Sequence, residues 1–258
     1  MIEQFLHIFS LGGFVSLVTL TALEIVLGID NIIFIALVVQ HLRKNDREKA
    51  RRIGLMMALV LRVLLLLSIS WVLSLTKPML NVSGFDFSGK DILLLLGGLF
   101  LIYKAVTAMH DMFTDSDEKA LRDSKGNMPM TILQIMVIDL VFSFDSVITA
   151  VGLTQNIPII VIAMTIAMLI MLFFTGFVSE FIEEHPSIKT LAISFILLVG
   201  VLLVGDGLGT HVPRGYLYFA MGFSAAIETI NIMIRNKKYK KYFSNSKSNG
   251  RSSKISSS

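Results

Sequence analysis

Apolar positions along this chain fall in long unbroken blocks separated by short polar stretches. Seven blocks are long enough to cross a hydrocarbon layer of about 30 Å as helices of about 20 residues. They are Gly13–Val39, Ile53–Leu75, Ile92–Met109, Thr131–Leu153, Pro158–Val178, Thr190–Val204 and Gly215–Ile234. The sixth is short and runs into Gly205-Asp206-Gly207. A soluble core does not need such blocks and a bilayer does. The pattern predicts an all-α polytopic membrane protein of about seven spans, closed into a bundle whose polar groups face inward.

Composition agrees. Apolar residues make up 54% and charged residues 16%, against roughly 25% charged usage in soluble domains. The absence of cysteine excludes disulfides, thiolate metal sites and cysteine nucleophiles. No Lys or Arg precedes Arg43, so the basic start of a cleavable signal peptide is missing and the first block is expected to remain in the mature protein. The net charge of +4 comes mostly from one tail and predicts no nucleic-acid partner.

Lys and Arg set the orientation. The loop after the first block, the loop after the third with nearby Lys104, Lys189 and the C-terminal tail together carry 19 basic residues, and the opposite side carries Lys77, Lys90 and Arg214. The N-terminus is therefore expected outside and the C-terminus in the cytoplasm. The segment 236–258 is Lys- and Ser-rich without an acid, and reads as a disordered topology signal or an attachment to anionic lipid.

An internal repeat is the strongest signal. Residues 24–33 read EIVLGIDNII and residues 139–148 read DLVFSFDSVI. At an offset of 115 positions, Glu24 matches Asp139, Gly28 matches Ser143, Asp30 matches Asp145 and Asn31 matches Ser146. Three spans separate the copies, so they run in opposite directions. This predicts an inverted repeat of three helices plus one extra, as in many secondary transporters. Residues 1–110 form the first half, 111–130 a cytoplasmic linker, 131–210 the second half and 211–235 the added span. The pseudo-two-fold axis is expected to bring Asp30 and Asp145 together at mid-membrane. On an ideal helix Glu24 and Asp30 lie about 120° apart, so local unwinding at Gly28 and Ser143 is expected to turn each Asp toward the shared cavity.

Acids inside apolar helices cost roughly 2.5–3.5 kcal/mol each at mid-membrane. They call for protons, a counter-charge or a bound cation. Arg62 is the one base in mid-span, either pairing with one carboxylate or acting as a tethered cation that competes with substrate; Glu228 is a further acid nearer the cytoplasmic end. The carboxylates, Asn31 and Ser146 are hard oxygen donors, suited to Mn, Ca or Mg rather than copper or zinc. Met164, Met168 and Met171 form a helical stripe that reads as packing ahead of a soft-metal path. His185 and His211 lie in loops. Glu180, Glu183 and Glu184 read as a solvated face, and the GDGLGTHVPRG segment as an outer turn or vestibule.

EIVLGIDN and DLVFSFDSVITAVGL, with LLLLGGLFLIYKA and HVPRGYLYFAM, closely resemble the paired signatures of the TerC family of integral membrane proteins, in its short form. The resemblance implies a bacterial inner-membrane protein, linked by name to tellurium resistance and for several members to manganese(II) efflux. Some members are implicated in supplying metal to exported enzymes beside the Sec translocon. The family's acidic motif residues fall here on Glu24, Asp30, Asn31, Asp139, Asp145 and Ser146. Gly28 stands where several members have Ser or Ala. No CBS-type domain follows the last span, so regulation through one is not expected.

Two functions follow from these readings. One is export of a divalent cation, Mn(II) by resemblance, as a transported substrate with no tightly bound cofactor. The other is a non-transporting scaffold or metalation factor beside the secretion machinery. An enzyme is not expected: the last span has no lysine for retinal, and the flanks of the paired Asp do not resemble an intramembrane protease. The lipid bilayer is the expected environment, and homo-oligomer formation is left open.

Overall fold

The computed structural model describes residues 10–82, 85–113, 126–154, 156–210 and 212–255. They form two compact units, the first ending at Val212 and the second starting at Pro213. The first unit holds α1 (Leu11–Leu27), α2 (Ile29–Val39), α3 (Lys44–Leu67), α4 (Ile69–Ser74), β1 (Pro78–Val82), β2 (Phe85–Ser88), α5 (Gly89–Phe113), α6 (Met128–Leu153), α7 (Ile157–Glu184) and α8 (Pro186–Gly207). The second holds α9 (Arg214–Ile255).

Among the described residues, six helical stretches are long and apolar enough to cross a membrane: Leu11–Val39, Gly89–Met112, Met128–Leu153, Ile157–Glu184, Pro186–Gly207 and Arg214–Arg235. The remaining expected span is α3 with α4. Its helix carries Arg51, Arg52 and Arg62 and is interrupted at Ser68, so it is less uniformly apolar. Together its two segments reach about 45 Å at 1.5 Å per residue. Some helix ends extend past the apolar blocks by about a turn or more, at Phe113, Glu184 and Pro186, whereas Val39 and Leu153 end helix and block together. The block Thr190–Val204, for example, is the middle of a helix that begins at Pro186 in its first turn.

Interruption of the first span is slight. Gly28 keeps right-handed helical angles (φ −83°, ψ −8°), and its N–H donates to the Glu24 and Ile25 carbonyls at 2.9 and 3.1 Å. A Cβ at this position would lie 2.1 Å from Met171 Sδ, so any larger residue here requires the Met171 side chain to move. At Ser143 there is no break: α6 runs unbroken from Met128 to Leu153. The unwinding expected at both positions is thus limited to a one-residue pause at Gly28.

The short antiparallel hairpin β1–β2, not anticipated from the sequence, joins α4 to α5. It is pinned where Ser88 N–H and Oγ donate to Asp91 Oδ2 at 2.8 and 2.7 Å, and Lys90 N–H donates to the Leu75 carbonyl at 3.1 Å. At the other end Arg47 donates to the Leu42 and Gln40 carbonyls and to Glu183 Oε1 at 2.7 Å, tying the first loop to the end of α7. These are the hairpin end and the basic end of the bundle.

Helix partners follow a two-fold rule. The most extensive interfaces are α5 with α8, α3 with α6, and α1 with α7. In span numbers these are 3–6, 2–4 and 1–5. Exchanging spans 1, 2 and 3 with 4, 5 and 6 maps the set onto itself. The facing copies are antiparallel. Leu20 clusters with Val147 and Ala150, whereas Ile35 and Val39 cluster with Ile135. Met164, Met168 and Met171 are all buried in these clusters, so the methionine stripe is packing.

The α5–α8 contact is made by glycines. A Cβ on Gly98 would meet the Gly200 carbonyl at 2.7 Å, and one on Gly207 would meet the Asp91 carbonyl at 2.8 Å. Backbone against backbone cannot yield as a flexible side chain can. Gly98→Leu is therefore expected to cost at least about 1–3 kcal/mol, read as a lower melting temperature of detergent-solubilised protein, with Gly12→Leu, which meets nothing, as the unaffected control. Gly209, at φ +84°, closes α8, with Gly209 N–H on Asp206 O and Thr210 N–H on Gly205 O. His211 and most of the expected 111–130 linker lie outside the described residues.

In the second unit, helix continues through the basic segment to Ile255, where a disordered tail was expected. Proline is absent from 214–255 and the segment extends an existing helix, so no new nucleation is needed.

Candidate intramembrane acidic site

Arg62 sits at the centre. Its side chain is 2% exposed; Nη1 donates to Glu24 Oε2 at 2.7 Å and Nη2 to Asp139 Oδ1 at 2.9 Å. The two acids it joins are the repeat-related pair. Around them, Asn31 Nδ2 donates to Asp139 Oδ1 at 3.3 Å and Ser143 Oγ to Asp139 Oδ2 at 2.9 Å. The Ser146 side chain lies near the Glu24 carboxylate, with its hydroxyl donating to the Ser143 carbonyl at 3.4 Å. Each acid of one repeat therefore meets the polar residue of the other: Glu24 with Ser146, Asp139 with Asn31. The two-fold exchanges these two pairs.

Helical spacing makes this possible. Glu24, Gly28 and Asn31 share one face, as do Asp139, Ser143 and Ser146. Antiparallel packing then sets the first residue of one face beside the last of the other. Only the base breaks the symmetry: the position 115 residues after Arg62 is Phe177. One guanidinium serves both carboxylates, rather than pairing with one, and an ionised triad keeps one net negative charge. Its donor set is also not exhausted. Glu24 Oε1 and Asn31 Oδ1 are buried without a hydrogen-bond partner, and so is Thr21 Oγ1 one turn earlier on the same face.

Asp30 and Asp145, expected to meet, are placed on different surroundings. Asp30 is buried and borders a narrow cleft with Ile33, Phe34, Leu101, Phe142 and Val199. Asp145 is partly exposed and pairs with Lys90 Nζ at 3.2 Å toward the hairpin end. On regular helices each Asp is about 120° around from its repeat acid, so close packing of one face turns the other residue away. In the sequence Lys90 is only a charge outside the apolar blocks. Its position just after the hairpin, at the start of α5, is what lets it reach Asp145. Among the described residues, no three His, Asp or Glu side chains gather closely enough to hold a metal ion; the central group has two carboxylates, with neutral oxygens around them.

A bundle of apolar helices built as an inverted repeat, with a duplicated acid pair buried at its centre, defines a polytopic integral membrane protein. The sequence model of the integral membrane protein TerC family matches residues 9–242. The chain belongs to that family. It is 48% identical over 227 residues to the UPF0053 inner membrane protein YgdQ of Escherichia coli K12, covering 88% of this chain and 95% of that protein. It is 44% identical over 225 residues to a UPF0053 protein of Haemophilus influenzae, covering 86% and 94%. The UPF0053 inner membrane protein YoaE of Escherichia coli K12 is 44% identical over 221 residues, covering 85% of this chain and 42% of that longer protein. No solved structure matches.

Proposed function

We propose that this protein is a secondary transporter that exports a divalent metal cation, Mn(II), across a bacterial inner membrane, with its N-terminus outside and C-terminus in the cytoplasm. The observation that carries this reading is the pair of orphaned, buried oxygens, Glu24 Oε1 and Asn31 Oδ1, beside two symmetry-related carboxylates. Hard oxygens with spare lone pairs and residual negative charge suit a hard cation. Glu24, Asn31, Asp139 and Ser146 supply the donors. Asp30 and Asp145 act as relay groups on either side of them. Arg62 holds the carboxylates when no substrate is bound and must withdraw when the ion enters.

A second reading rests on the same triad. Because Arg62 already bridges both acids, the group can serve as a structural lock in a non-transporting scaffold or metalation factor beside the Sec translocon. Flux decides between them. Purified protein in vesicles carrying an internal metal-sensitive dye is expected to move Mn(II), tested beside Ca, Mg, Zn and Co. Absence of flux for all five ions would leave the scaffold reading.

A further inference from the structure

Between α2, α5, α6 and α8, toward the basic end, lies a cavity of about 350 Å³ that the acidic site does not use. Its floor is apolar, with Phe34 and Ile196 separating it from the cleft beside Asp30. Among the described residues its polar lining is Lys104, His41, Asn127, Thr131 and Gln134. Lys104 lies within the third span, and its Nζ is 5.8 Å from the centroid of the Phe100 ring. Among the described residues it has no carboxylate within ion-pair distance. His41, also in the lining, has its Nε2 3.9 Å from Asp111 Oδ2.

We propose that this cavity binds a phosphate-bearing anion, with Lys104 as its charge partner. A lysine inside a span is costly and normally has a partner. Two other bases within the first unit's spans, Arg62 and Lys90, hold carboxylates. The amides of Asn127 and Gln134 and the Thr131 hydroxyl can complete the hydrogen bonds of phosphate oxygens. A metal cation is the wrong guest for this cavity, whose polar lining includes a lysine and, among the described residues, no acid. The same chemistry has two sources, a phospholipid headgroup entering from the bilayer or a soluble phosphate entering from the basic end.

Thermal stability of the purified full chain tests the site without needing transport. One arm compares micelles containing phosphatidylglycerol with micelles containing phosphatidylcholine. The other compares inorganic phosphate with chloride at equal ionic strength. A higher melting temperature in either arm, lost in Lys104→Gln and kept in Lys77→Gln, establishes the site, and the responding arm names the source. No anion-specific shift in either arm, or a shift that survives Lys104→Gln, overturns it. Lys104→Arg, which keeps the charge, is expected to retain at least half of the shift and separates loss of binding from loss of fold. Flux through the acidic site has no part in either outcome, so this inference and the transport reading can fail separately.

Discussion

Arg62→Met is expected to be the most destabilising single change in the chain, at about 3–5 kcal/mol, the cost of leaving buried charges without their partner. Arg62 is 2% exposed, Glu24 1% and Asp139 3%, so neither carboxylate can turn to water. Two acids that share one guanidinium would then face each other in an apolar bundle. The measurement is the melting temperature and folded yield of detergent-solubilised protein. A triple variant carrying Arg62→Met, Glu24→Gln and Asp139→Asn keeps the volume and removes every charge, and it is expected to regain most of the loss. Were Arg62→Met as stable as the native chain, the triad would not be the lock that its geometry describes. Were the triple variant no better than the single one, the cost would lie in lost packing of the arginine stem and not in charge.

Much of this architecture was legible in the sequence because a bilayer imposes a crude code. Each span must be apolar along its length, so Gly13–Val39 and Thr131–Leu153 stand out without any knowledge of contacts. The repeat was legible for the same reason: four polar or small positions at a constant offset stand out in apolar surroundings. Their mutual geometry was not. Asp30 and Asp145 look like the natural partners because they are identical, but identity places them at equivalent positions, and equivalence under a two-fold does not entail contact. Contact depends on which helix face is turned to the axis. Packing chose the Glu24–Gly28–Asn31 face, where glycine admits Met171, and its counterpart Asp139–Ser143–Ser146. Lys90 was illegible as a partner because its reach depends on the hairpin β1–β2, whose strands carry no strong local signal.

That difference decides which substitution should stop transport. Glu24→Gln and Asp139→Asn are each expected to reduce Mn(II) flux in vesicles by about 10–100-fold, the equivalent of the roughly 1.5–3 kcal/mol carried by one charged contact. Neither should unfold the protein, because Arg62 keeps one carboxylate and each amide retains an oxygen for hydrogen bonding. Asp145→Asn is expected to fall less than tenfold: its side chain is 20% exposed and its partner Lys90 26% exposed, so water can replace the lost contact. Asp30 is the sharper discriminator. It is 7% exposed and lies beside the cleft rather than on the triad, so Asp30→Asn should slow flux while leaving the apparent affinity for Mn(II) nearly unchanged, as fits a relay group. Glu24→Gln and Asp139→Asn should weaken affinity as well as rate. If instead Asp30→Asn and Asp145→Asn abolished flux and weakened affinity while the central pair tolerated neutralisation, the ion would bind between the identical aspartates in a conformation other than this one. The Arg62 triad would then be only the hinge around which that conformation forms.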